Sequence, residues 1–82
     1  MRIKTWNIRG LNSKGKNRYL RDRLKKDKPS IMIIQETNIS EQKLKEIMSR
    51  FNPHYEIIGQ DALGSAGGQA ILWNPEEVQF KN

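Results

Sequence analysis

Apolar positions along the chain recur in two rhythms, and their succession outlines the architecture. From Arg2 to Asn7 they alternate with polar ones, setting Ile3, Thr5 and Asn7 on one side of a strand and Trp6 and Ile8 on the other. Turn-type residues between Gly10 and Gly15, among them Asn12 and Ser13, then predict a loop. A helix is expected over Lys16 to Lys26, where Leu20 and Leu24 lie one turn apart, Tyr19 flanks them, and Asp22 can pair with Lys26. Lys28-Pro29 ends it, because the residue before a proline is driven away from helical angles. Ile31 to Gln35 is apolar almost throughout, the pattern of a strand covered on both faces of an α/β sheet.

The second half repeats the scheme. Ser40 suits the cap of a second helix, with Ile39 and Leu44 spaced as a hydrophobic staple. Leu44, Ile47, Met48 and Phe51 keep the helical period until Asn52-Pro53 stops it. Further strands are predicted at Tyr55 to Ile58 and at Gln69 to Trp73, joined by a flexible turn region from Gly59 to Gly68, and Val78 to Phe80 starts a fifth. The order β-α-β-α-β-β defines an α/β class.

A carboxylate, Glu36, closes the most apolar strand, and an amide, Asn7, closes the first. If those strands are parallel neighbours, the crossover between them is right-handed and their carboxyl ends lie side by side. Asn7 and Glu36 then share the crevice where open α/β sheets place ligands. Glu36 offers a hard oxygen of the kind magnesium takes, one or two carboxylates completed by waters and phosphate oxygens. Asn7 has an amide able to orient Glu36, a metal-bound water or a phosphate. The competing reading makes both residues simple turn formers.

Charge adds a candidate partner. The net charge is +6, but residues 1–28 hold eleven Lys/Arg against two Asp, a local +9, while residues 29–82 carry −3. Such a basic half is the electrostatic footprint of a polyanion ligand, and Lys14, Lys16, Arg18, Arg21 and Lys25 are the backbone-contact candidates. A solvated helix face explains the same charges equally well, and charge alone does not separate nucleic acid from an anionic membrane surface. Cysteine is absent, which excludes disulfides and thiolate metal sites. No signal peptide is expected, and the longest apolar run is far too short to span a bilayer.

Three segments carry a resemblance: Trp6-Asn7-Ile8-Arg9-Gly10-Leu11-Asn12, Ile34-Gln35-Glu36-Thr37, and Gly67-Gly68-Gln69-Ala70-Ile71-Leu72-Trp73-Asn74. Together they resemble the opening of the endonuclease/exonuclease/phosphatase family, with the endonucleases of plant LINE-type (non-LTR) retrotransposons as the nearest branch. The resemblance implies the truncated half of a two-sheet α/β sandwich, and hydrolysis of DNA phosphodiester bonds with Mg2+ or Mn2+. It makes Glu36 the metal ligand and Asn7 an active-site amide. DNA becomes the partner, Arg9 joins the backbone contacts, and the location is intracellular, nuclear for a retroelement product. Residues 1–82 form the amino-terminal part of such a domain, with a second sheet supplied elsewhere or replaced by self-association.

Departures from the family pattern matter equally. Abasic-site repair members typically carry an acid where Arg9 stands, which favours the retroelement branch. No Asp-x-Asn and no Ser-Asp-His follow in the 82 residues, and His54, the one histidine, precedes the third strand and reads as a surface or turn residue. The chain is therefore expected to be inactive alone. A basic nucleic-acid-binding module and a non-functional retroelement remnant are the alternatives. Gly64 to Gly68 lacks the Lys-Ser/Thr of a phosphate-binding P-loop and reads as a turn. Trp6 and Trp73 read as core packing rather than base-stacking platforms.

Overall fold

The computed structural model describes residues 1–60 and 67–79. Its elements are β1 (Ile3–Asn7), α1 (Lys14–Asp27), β2 (Ile31–Gln35), α2 (Glu41–Phe51), β3 (Glu56–Gln60) and β4 (Gln69–Trp73). They form a four-stranded mixed sheet in the order β1-β2-β4-β3. β1 and β2 pair in parallel with Asn7 opposite Gln35, whereas β4 runs antiparallel to both β2 and β3. The predicted class and element order hold. Val78 and Gln79, however, belong to no strand: the Glu77 and Val78 N–H groups bond back to the Asn74 carbonyl in a turn, and Phe80 lies outside the described residues.

Register assigns the faces. Trp6, Met32, Ile34, Ala70, Leu72 and Ile57 share one side, where they pack with Leu20 and Leu24 of α1 and Leu44 and Met48 of α2. Ile8 and Leu11, just past β1, are buried in the same core. The opposite side carries Ile3, Ile31, Ile33, Ile71 and Ile58, of which Ile3 and Ile58 are more than half exposed. The near-continuous apolar run of β2 thus has one buried face and one half-buried face among the described residues, where cover on both sides was expected. Trp73 likewise departs from the core assignment: it lies in register with Ile31 on the uncovered side. Trp6 packs against the core and meets the Tyr19 ring at 5.0 Å.

Local chemistry sets the element ends. Ser13 and Ser40 each accept a hydrogen bond from the backbone N–H three residues on, at 3.2 and 3.1 Å, so α1 begins two residues earlier than its periodicity suggests. Lys28, left-handed with φ 45°, closes α1 through its N–H to Leu24 O. Asp22 pairs with Arg21 at 3.2 Å instead of Lys26, and the i,i+4 ion pair of α1 joins Arg23 to Asp27. β3 runs two residues further than its apolar pattern because its ladder with β4 continues through Gly59 and Gln60, and Glu41, in the first turn of α2, accepts the Gly59 N–H at 2.8 Å. That hydrogen bond and the Lys45 ammonium at 2.8 Å hold the Glu41 carboxyl below its ordinary range, the lysine being the larger cause. A Cβ at position 59 would come within 3.2 Å of the Glu41 side chain, so glycine permits the close approach. Tyr55 anchors the start of β3 by donating its buried hydroxyl to Pro29 O at 2.7 Å; burial, then the Glu77 charge, pushes the phenol above its usual pKa.

Candidate functional site

The loops following β1 and β2 and the approach to β4 meet at one end of the sheet. Parallel pairing continues past the strands: Ile8 N–H bonds Gln35 O at 3.1 Å, Gly10 N–H bonds Glu36 O at 2.7 Å, and Leu11 N–H bonds Thr37 O at 2.8 Å. From the other side, Thr37 N–H bonds Gly68 O at 3.2 Å and Asn38 N–H bonds Gly67 O at 2.8 Å, while Gly67 N–H returns to Asn38 Oδ1 at 2.8 Å. Segments some 30 residues apart in sequence are thereby stitched into one rim.

Asn7 and Glu36 are neighbours on that rim, because Asn7 stands opposite Gln35 and Glu36 is the next residue. The Glu36 side chain is exposed and, among the described residues, has no hydrogen bond or ion pair. Asn7 lies on the helix-free side of the sheet, in line with Gln35, Gln69 and Gln60 across all four strands. Gln69 Nε2 donates to Gln60 Oε1 at 2.9 Å within this row. The row of amides has a signal in the sequence: Gln35 and Gln69 are strand-terminal residues of the same chemical type as Asn7.

Backbone strain gathers at the same place. Four non-glycine residues have positive φ among the described ones, and three of them, Arg9 (56°), Glu36 (55°) and Asn38 (57°), sit on the rim. The positive-φ glycines, Gly10, Gly67 and Gly68, sit there too. Asparagine tolerates this region, but arginine and glutamate lose about 1–2 kcal/mol each in it. Such costs persist where surrounding structure enforces them, and they cluster at ligand-handling sites. At Gly10 (φ 105°) a Cβ would also press to 3.3 Å on Asn12 and on Asn38.

The basic candidates divide into separate groups. Arg9 is exposed on the rim itself. Lys16 donates its ammonium to Ile8 O at 2.8 Å and so ties α1 to the rim loop. Lys14, Arg18 and Arg21 line a cleft facing α2, whereas Lys25 lies in the last turn of α1 beside Asn52 and Tyr55. His54 is an exposed turn residue as expected. The turn expected at Gly64 to Gly68 falls mostly outside the described residues, apart from Gly67 and Gly68.

As a metal site the rim supplies one carboxylate and one amide. No group of three or more His, Cys, Asp or Glu side chains assembles among the described residues. Glu36 is the one carboxylate of the rim among the described residues, and magnesium takes one or two carboxylates with waters completing its shell. Among the described residues no helix is long and apolar enough to cross a membrane.

No protein-family model matches the chain, and no curated protein is significantly similar to it in sequence. Solved structures do match. An AP endonuclease from Archaeoglobus fulgidus superposes with a TM-score of 0.71 at 24% identity over 89% of this chain. The 3′ phosphatase NExo from Neisseria, bound to a product DNA hairpin, gives 0.73 at 21% identity over 90%, and the AP endonuclease LMAP from Leishmania major gives 0.67 at 20% over 85%. The chain spans only 27% of each of the first two and 22% of the third. It thus has the fold of about a quarter of an endonuclease/exonuclease-type nuclease.

Proposed function

We propose that this chain is the amino-terminal part of a metal-dependent phosphodiesterase-like domain and contributes Asn7 and Glu36 to its active rim. The observation that carries this reading is the union of the three motif segments at one strained sheet end, where Glu36, without a partner among the described residues, follows the register partner of Asn7. Glu36 would hold magnesium or manganese there, and such an ion supplies Lewis-acid polarisation of a phosphoryl oxygen. Asn7 would donate its amide N–H to a phosphate oxygen, and Arg9 would meet the backbone charge. The DNA hairpin held by the Neisseria enzyme supports a nucleic-acid substrate for the complete domain. Arg9, where repair members of the family typically carry an acid, supports a retrotransposon-type endonuclease over an abasic-site repair enzyme.

The 82 residues hold no histidine near the rim to move a proton, and general acid–base help is worth about 10²–10⁴-fold. The expected result is that the chain alone leaves supercoiled plasmid intact in Mg2+ or Mn2+. It should nevertheless bind Mg2+ weakly and saturably in calorimetric titration, and Glu36→Gln should remove that binding without altering the circular dichroism spectrum. Equal Mg2+ binding by the variant would refute the role of Glu36, while nicking abolished by Glu36→Gln would refute the inactivity.

A further inference from the structure

We infer that the cleft between α1 and α2, on the helix-covered side of the sheet, is a second polyanion site that receives the phosphodiester backbone of a nucleic acid. The cleft has a volume of about 290 Å³ and is lined by Lys14, Arg18 and Arg21 from α1 and by Arg50 and Phe51 from α2, with Asn17 between them. Asn7 belongs to the opposite side of the sheet, so this groove is distinct from the rim.

Three observations separate it from an ordinary solvated helix face. First, the lining brings unpaired cations of two helices together. Lys14, Arg18 and Arg50 have no ion-pair or hydrogen-bond partner for their side chains among the described residues, and the charged partner of Arg21 there is its sequence neighbour Asp22, a largely exposed carboxylate outside the lining. The other described cations of α2, Lys43 and Lys45, are matched to Glu46 and Glu41 on their own helix. Second, the first turn of α1 holds no acid and sets Lys14, a lining residue, at the positive end of the helix dipole. That charge serves the free helix poorly, and a bound anion would offset its repulsion. Third, the groove combines charge with other nucleotide-directed chemistry. The Arg21 guanidinium lies 5.1 Å from the Phe51 ring centroid, and Asn17 Oδ1 is buried without a hydrogen-bond partner.

Each of these features suits a nucleic acid. Guanidiniums present planar, paired donors to phosphate oxygens. Grooves for nucleic-acid strands join cations to an aromatic surface. Asn17 adds a polar side chain to the lining beside the guanidiniums. An anionic membrane is the weaker fit, because the exposed large hydrophobics Met1, Ile3, Tyr19, Ile58 and Ile71 all lie outside the lining of the groove.

Fluorescence anisotropy with a labelled oligonucleotide of about 20 nucleotides, as single strand and as duplex, tests the assignment on the whole chain. EDTA is present throughout, so a failure at the metal rim leaves the experiment unaffected. Binding should weaken with salt, and Arg18→Ala and Arg50→Ala should each lower the slope of log affinity against log salt by about 0.7–0.9, one phosphate contact apiece. Lys45→Ala, the same charge change on the same helix, should leave the slope unchanged, and Arg50→Lys should recover part of the loss. The form bound more tightly identifies the partner as single-stranded or duplex. Equal losses for Arg50→Ala and Lys45→Ala, or no binding to either form, would overturn the proposal. So would Arg50-dependent binding to phosphatidylserine vesicles with none to the oligonucleotides.

Discussion

Leu72→Ala should cost about 2–5 kcal/mol, whereas Ile71→Ala, one residue away on the same strand, should cost less than about 1 kcal/mol. The contrast follows from register. Leu72 is wholly buried, facing the core that α1 and α2 cover, and truncation there leaves a cavity that rigid neighbours cannot fill. Ile71 faces the other way and is 40% exposed. Domains of this size are held together by about 4–12 kcal/mol in total, at roughly 0.05–0.15 kcal/mol per residue. Leu72→Ala should therefore remove a large share of the total stability, and urea denaturation of the two variants beside wild type reads the difference directly. Comparable losses at both positions, measured at a concentration low enough for the chain to be monomeric, would contradict this assignment of faces.

That second face gives the other large expected effect. Ile3, Ile31, Ile33, Ile71 and Ile58 form a contiguous apolar surface across four strands, with Trp73 at one end and the amide row at the other. Apolar patches of several hundred Å² on a soluble domain mark contact surfaces or drive aggregation. The isolated chain should accordingly self-associate at micromolar concentrations in sedimentation velocity. The double substitution Ile58→Glu with Ile71→Lys sets opposite charges directly across the β3–β4 pair, where such pairs are tolerated. It should convert the chain to a monomer and leave the helix-side core intact. A wild-type chain that is monomeric and melts sharply would show that one covered face suffices.

The order of elements was legible because the two periods, alternating and helical, do not overlap along this chain. Cap chemistry at Ser40 located α2, and the end of β2 was evident from the change of Ile34 to Gln35-Glu36. One-sided burial was not legible. A strand such as Ile31–Gln35 reads alike whether its second face is covered or half open, since only the neighbouring elements decide it. The length of β3 depended on pairing of Gly59 and Gln60 with Ala70 and Gln69 of β4, which no local pattern encodes. The adjacency of Asn7 and Glu36 followed from parallel topology, but the left-handed backbone at Arg9 and Glu36 did not, because neither residue type favours it. Arg50 was missed in the reading of the basic helix for the same reason: its place beside Arg18 and Arg21 comes from helix packing, while charge counted along the sequence placed it in the acidic half.

The central claim is that a hard cation is held where the amide and acid tips of β1 and β2 meet. Paramagnetic broadening by substoichiometric Mn2+ in the 1H–15N spectrum of the whole chain tests it residue by residue. The account predicts that the amides of Asn7, Ile8, Glu36, Thr37, Gly67 and Gly68 fade together, and that Glu36→Gln restores them. Broadening centred on another acidic segment, such as Glu76-Glu77, with the rim amides untouched, would contradict it.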